Sequence, residues 1–169
     1  KIEFQATDEL SGWKNTYLSV NENPFILSSS KKFYFTTDKE YTIYYYSIDN
    51  VGNVEVLQKS NFFLDVTPPS TYVDISGTHI DNTLALDAGI SFRAEDGSSG
   101  IKHIYYQLDS NEEREYKSEI MVSGLLNGEH KITYYSEDNV GNLESKISYN
   151  FYLDSEPPTL NVEVKGNRY

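Results

Sequence analysis

The sequence contains no cysteine. That excludes a disulfide framework, a thiolate metal site and a cysteine nucleophile, and it remains compatible with a bacterial cell surface, where many stable proteins lack the residue. Basic residues are scarce: 14 Lys+Arg stand against 26 Asp+Glu, giving a formal net charge of -12 and a pI near 4.6. A polyanion is repelled by such a chain, so non-specific nucleic-acid binding is excluded. No run approaches the roughly 20 apolar residues that span a membrane as a helix, and no helical period is visible. No signal peptide precedes Lys1, which suggests an internal segment of something longer. Aromatic residues are plentiful instead, with 15 Tyr and 8 Phe among 169 residues. The chain can bury real cores, and its length suits two domains of ordinary size.

An internal repeat organises the chain. Residues 42–55 read TIYYYSIDNVGNVE and residues 131–144 read KITYYSEDNVGNLE, so Asp49 falls on Asp138, Gly52 on Gly141 and Glu55 on Glu144 at one constant spacing. The match continues through NFFLDVTPP and NFYLDSEPP, which align Asp65 with Asp154 and Pro68-Pro69 with Pro157-Pro158. Upstream, residues 2–14 match residues 90–102 at a spacing one residue shorter, a length change of the kind that loops tolerate. The second copy is preceded by TYVDISGTHIDNTLALDAG at 71–89, for which the first copy has no counterpart, and PPTLNVEVKGNRY repeats the start of that segment. The expected organisation is residues 1–66 as a copy lacking its first strand, 67–156 as a complete copy, and 157–169 as the start of a third repeat.

Alternation and β-branched or aromatic enrichment between turn residues predict strands near 71–76, 83–87, 90–96, 102–109, 114–123, 129–138 and 143–153. About seven strands in roughly 85 residues is the pattern of an immunoglobulin-like sandwich, so the predicted fold class is all-β, tandem immunoglobulin-like β-sandwiches. Ile90, Phe92 and Ala94 alternate with Ser91, Arg93 and Glu95, which assigns the inward face. Val140-Gly141-Asn142 after Asp138-Asn139 supplies turn residues and makes 129–153 a hairpin.

Three elements carry a likeness to a known family: YYSxDNVGN closing a strand, LDxxPP at the junction, and AxDxxSG after the second strand. They resemble the Ig-like repeats of bacterial surface proteins, in particular the repeat family named after a spirochaete outer-membrane protein. The resemblance covers essentially the whole chain. It implies tandem copies that form stalks and adhesive surfaces, and binding of Ca²⁺ at loops or module junctions in some members.

The connectivity of an Ig-like sandwich puts the loop after the second strand and the loop of the last hairpin at one pole. Asp96 and Asp138 would then share a pole, and the exit of copy one would bring Asp65 to it. Such carboxylates, helped by Asn139 or Asn142, suit Ca²⁺, which takes six to eight hard oxygen ligands. The alternative is that Asp49 and Asp138 cap their hairpins by accepting nearby backbone N–H groups. Asp8 and Asp49 are the counterparts in copy one.

Tyr134 and Tyr45 resemble the tyrosine-corner position of sandwich domains, which would anchor a buried ring through its hydroxyl. Trp13, whose counterpart is Ile101, is not required by the common fold; it either faces a sugar or peptide ligand or covers a local apolar edge. His79, His103 and His130 stand at unrepeated positions without ligand spacing, and no nucleophile elbow or phosphate loop is present. The chain reads as non-catalytic. The expected role is a stalk or adhesive segment of an extracellular bacterial surface protein, associated with the cell surface or outer membrane. Its partners would be adjacent repeats and a host or cell-surface protein or glycan, with no nucleic acid. An accessory module of a secreted polysaccharide-degrading enzyme is the alternative. The segment TLNVEVKG at 159–166 reads as a strand without a sandwich, which suggests head-to-tail strand exchange between chains.

Overall fold

Alternating burial along extended segments builds two units, Lys1–Thr67 and Pro68–Tyr169. The structure is a computed structural model that describes residues 2–3, 5–28 and 32–166. In the first unit the strands are β1 (Ile2–Glu3), β2 (Trp13–Val20), β3 (Ile26–Leu27), β4 (Lys32–Phe33), β5 (Lys39–Asp49) and β6 (Gln58–Leu64). In the second they are β7 (Ser70–Ser76), β8 (His79–Ile80), β9 (Thr83–Leu84), β10 (Gly89–Glu95), β11 (Ile101–Leu108), β12 (Arg114–Glu115), β13 (Ile120–Met121), β14 (Gly128–Asp138) and β15 (Ile147–Leu153). No α-helix occurs among the described residues, and none of their helices is long and apolar enough to cross a membrane.

The second unit has a sheet of order β13-β10-β7 and a sheet of order β12-β11-β14-β15-β9-β8. Between their inner faces lie Leu84, Ala88, Ile90, Phe92, Val122, Ile132, Tyr134, Phe151 and Leu153. The first unit repeats the arrangement with β1-β4 and β3-β2-β5-β6. Leu18, Tyr41 and Ile43 are buried there. These are tandem Ig-like β-sandwiches. In both units the strand after the second loop carries a register shift at its start, between Trp13 and Asn15 and between Ile101 and His103. Gly12 and Gly100 precede the shifts at φ of 79° and 80°. A Cβ there would lie 3.1 Å from Asn50 Nδ2 and 3.3 Å from Asn139 Nδ2, so both backbone angle and space favour glycine.

Several expected boundaries are corrected. The segment 114–123 is two strands, because β12 pairs with β11 in one sheet and β13 with β10 in the other. A chain that changes sheets must break its ladder, and here it then tightens into a 3₁₀ turn over Val122–Gly124. The strand expected at 83–87 ends at Leu84, since Ala88 N–H turns back onto the Ala85 carbonyl at 3.0 Å. The last strand starts at Ile147, not at 143, where Leu143 makes only an isolated bridge to Glu137. Residues 157–166 form no strand, so the extended segment read at 159–166 has no ladder in this structure.

The corner also lies elsewhere than expected. The Tyr134 ring is buried against Phe92, with centroids 4.8 Å apart, but its hydroxyl makes no hydrogen bond among the described residues. Four residues earlier in the repeat, the Tyr41 hydroxyl donates to the Thr37 carbonyl at 3.2 Å. The matching residue of the second unit is His130, whose Nε2 lies 2.8 Å from the Leu126 carbonyl. Its Nδ1 lies 2.8 Å from Asp109 Oδ2. A carbonyl and a carboxylate both accept, so both ring nitrogens must carry protons to satisfy the pair. Burial alone would lower the His130 pKa; the Leu126 carbonyl and the Asp109 carboxylate outweigh it and hold the pKa above the ordinary 6.5.

Tyr41→Phe is expected to cost about 1 kcal/mol in denaturant melts, whereas Tyr134→Phe is close to neutral because it removes no bond. A loss at Tyr134 equal to that at Tyr41 would refute this placement of the corner. Because the folded pKa of His130 is raised, its contribution is complete below the unfolded value of about 6.5 and is lost as pH rises through the folded value. Calorimetry of the second unit's transition should show its Tm falling over that window. His130→Tyr combined with Asp109→Asn should abolish the fall.

Candidate functional site

The DNVGN hairpins place an aspartate at the end of β5 and of β14, where the turn directs backbone N–H groups inward. Asp138 Oδ1 accepts the N–H groups of Val140, Gly141 and Asn142 at 3.0, 2.7 and 2.8 Å, and Oδ2 accepts the Asn142 side-chain amide at 2.6 Å. Asp49 repeats this with the N–H groups of Val51 and Asn53 at 3.0 and 2.8 Å and the Asn53 amide at 2.7 Å. For both carboxyls burial pushes the pKa up. Hydrogen bonds led by the backbone N–H of Asn142 or of Asn53 overcome it and hold the pKa below the ordinary 3.8.

The loop after the second strand is built the same way. Asp96 Oδ1 accepts the N–H groups of Ser98 and Gly100 at 3.1 and 2.6 Å, and Asp8 Oδ2 accepts the Ser11 N–H and hydroxyl at 3.0 and 2.7 Å. Asn139 then ties this loop to the hairpin, its side-chain amide donating to the Ser99 carbonyl at 2.8 Å, as Asn50 does to Ser11 at 2.8 Å. Among the residues expected at a metal site, the second unit brings Asp96 and Asp138 together, with carboxylate oxygens within 4.8 Å of one another. Asp65 belongs to the first unit, directly after β6, and its Oδ1 accepts the Thr67 N–H at 3.1 Å. A carboxylate offers about four acceptor positions, two on each oxygen; at Asp138 three donors of its own hairpin converge on Oδ1 and one reaches Oδ2. Asp138 thus caps its hairpin, and the oxygens at Asp96 and Asp138 are of the hard type that suits Ca²⁺.

One constellation escaped the sequence reading. Glu144, just past the hairpin, accepts the Thr71 N–H at 2.9 Å and the Thr71 hydroxyl at 2.6 Å. It also accepts the Ser136 N–H and hydroxyl at 3.1 and 3.2 Å, and the two hydroxyls lie 2.7 Å apart. Thr71 is on β7 and Ser136 on β14, so one carboxylate ties the two sheets. The signal was present in the coincidence of Glu55 and Glu144 in the repeat.

In the first unit the corresponding region is an open groove of about 550 Å³. Ala6, Trp13, Tyr45, Ser47, Asp49 and Glu55 are among its walls. Trp13 is half-buried, and its indole N–H donates to Thr16 Oγ1 at 2.9 Å. Thr16 in turn lies 2.9 Å from the Ser47 hydroxyl. The indole therefore presents its ring to the groove with its polar atom already engaged.

No family model and no curated protein matches this chain. It is similar to a solved chain described as "Structures of Clostridium thermocellum CbhA fibronectin(III)-like modules", at 11% identity and a TM-score of 0.46, over 93% of this chain and 88% of that one.

Asp138→Ala strips an acceptor from three backbone N–H groups and should destabilise the second unit by about 3 kcal/mol in chelator-treated buffer, as read by urea melts. A change below about 1 kcal/mol would remove the hairpin lock as a stabilising element. Because the Asp138 pKa is lowered, this contribution is present above the unfolded value of about 3.8 and is lost as pH falls through the folded one.

Proposed function

We propose that this chain is a non-catalytic spacer and binding segment of an extracellular bacterial surface protein. The observation that carries the reading is that both units lock the same pair of loops with the same residues, Asp8, Asp49 and Asn50 in one and Asp96, Asp138 and Asn139 in the other. Polar side chains that converge there bind backbone of their own loops, which suits stiffness better than turnover. Adjacent repeats of the same kind would extend the spacer. A protein or glycan of a host or neighbouring cell would find its contact at the Trp13 groove. In this reading Ca²⁺ held by Asp96 and Asp138 adds stiffness at the loop pole, offsetting the repulsion of two neighbouring carboxylates.

Two measurements test the proposal. Antibody raised to the chain should label intact cells that produce it, and mild protease treatment should remove the label without lysis; signal only after permeabilisation would overturn the surface assignment. Millimolar Ca²⁺ against excess EDTA should raise the Tm of the second unit, since a ligand of the folded state alone stabilises by RT ln(1 + [L]/Kd). The rise should vanish in Asp138→Ala. An identical Tm in both buffers would leave the aspartates as turn caps only.

A further inference from the structure

The larger sheet of the second unit carries a pocket on the face turned away from the core. There β14 and β15 lie side by side, with Glu129 opposite Tyr152 and Lys131 opposite Asn150. These four alternate with His130 and Phe151, whose rings stack with centroids 5.3 Å apart, so all four share the outward face, and all are exposed. Side chains directly opposite on one face lie close enough to meet one ligand together. The pocket that they line has a volume of about 710 Å³, within the range of small-molecule sites, and every lining residue falls between Asn82 and Tyr152.

Two walls are fixed before any ligand arrives, which lowers the entropic cost of binding. On one side the Asp109–Ser110 turn is held by the Asp109 carboxylate, which accepts the Lys131 N–H at 2.9 Å and lies 2.8 Å from His130 Nδ1. On the other, the Asn82 carbonyl accepts the Tyr152 N–H at 2.8 Å, and β9 pairs with the end of β15. Between these walls the functional groups are uncommitted. Among the described residues the side chains of Glu129, Lys131, Asn150 and Tyr152 form no hydrogen bond, ion pair or ring contact. Elsewhere on the same sheet the charges pair, Lys146 with Glu113 at 2.6 Å and Lys102 with Glu137 at 2.8 Å. Nor does the common fold demand these residues, since the repeat places Thr42 at the position of Lys131 and Phe63 at that of Tyr152.

The chemistry of this set selects a ligand class. Glu129 offers acceptors, Lys131 donors and the Asn150 amide both, beside the half-exposed ring of Tyr152. One carboxylate and one ammonium balance, as do Asp109 and the doubly protonated His130, so in a chain of charge -12 this pocket carries no net charge with which to select an ion. Tyr152 has ladder partners on both sides, Glu129 and Thr83, which leaves no backbone edge for an extended peptide to join. An uncharged molecule with many hydroxyl groups and one apolar face fits. We propose that the pocket binds a neutral oligosaccharide, the Tyr152 ring lying against the C–H face of one sugar while Glu129, Lys131 and Asn150 bond its hydroxyl groups. The site is separate from the Trp13 groove of the first unit, and the inference is independent of where the protein resides and of any cation.

Amide-resolved NMR of the intact chain tests this, with neutral hexasaccharides of glucose, mannose, galactose and N-acetylglucosamine as probes at millimolar concentration and a sulfated oligosaccharide as the charged comparison. At least one neutral sugar should shift the signals of residues 82–83, 109–110, 129–131 and 150–152 in a saturable way. Tyr152→Ala should weaken that binding by about tenfold, the loss of one aromatic contact, whereas Tyr152→Phe, which keeps the ring, should bind as the parent does. Lys131→Ala should weaken it by about threefold, the equivalent of one exposed hydrogen bond. Both sites are exposed, so the Tm of the second unit stays in place in all three variants and separates lost binding from lost folding. No shift at these residues with any neutral sugar overturns the proposal, as do shifts confined to the first unit, binding of the sulfated probe alone, or an affinity that Tyr152→Ala leaves unchanged.

Discussion

One carboxylate decides where the opening strand of the complete unit lies. Taking a charged oxygen pair partly out of water is costly unless donors replace the lost hydration. Glu144 meets that condition with the N–H groups and hydroxyls of Thr71 and Ser136, two from each sheet. The burial of Thr71 and Ser136, at 5% and 0% exposure, follows from this shared acceptor, because each hydroxyl is satisfied inside the sandwich. The same requirement makes the first unit informative. Glu55 stands in the same place and, among the described side-chain hydrogen bonds, accepts the Ser47 N–H, with an open groove beside it.

The acidity of the chain takes on a different meaning in this light. A formal charge of -12 invites a search for basic partners or cations. Yet Asp8, Asp49, Asp96, Asp109 and Asp138 each accept N–H groups of nearby loops or of an adjoining strand. For Asp8, led by the Ser11 hydroxyl, and for Asp49, Asp109 and Asp138, where burial opposes but backbone N–H groups prevail, the outcome is a lowered pKa. Acidic side chains here stand in for backbone that the turns cannot pair. Loops fixed in this way have little conformational slack, as the proposed spacer role requires.

Period-two burial was legible in the sequence. Ile90, Phe92, Ile132, Tyr134 and Ser136 all point inward as their alternation demands. The internal repeat likewise marks the hairpin aspartates, Asp49 and Asp138. Three features were not legible, each for a physical reason. The split of 114–123 into β12 and β13 depends on a change of sheet, which alternation along one strand does not encode. The clamp at Glu144 joins residues 73 apart in the chain, and only the fold brings Thr71 to it. The short strand β8 owes its existence to pairing with β9, itself held parallel to β15, a long-range contact without local pattern.

The corner shows most clearly what a repeat constrains. Asn21 and Asp109 hold matching left-handed positions, at φ of 50° and 51°, a conformation that Asn and Asp tolerate better than most residues. Each accepts the N–H of a matching strand residue, Thr42 or Lys131, at 2.9 Å. Beside them Tyr41 and His130 each reach back four residues to a carbonyl. One unit therefore builds its corner from neutral groups and the other from an imidazolium and a carboxylate, with the backbone geometry shared. His130 looked solitary in the sequence because its partner Asp109 replaces an asparagine and its counterpart is a tyrosine. Only the pair of exchanges makes sense of either: a histidine with two acceptors needs a second proton, and an aspartate in place of an amide keeps that proton bound. The repeat preserves the bond that must be made and leaves open which side chain makes it, so the two units share one fold and differ in how their stability depends on pH.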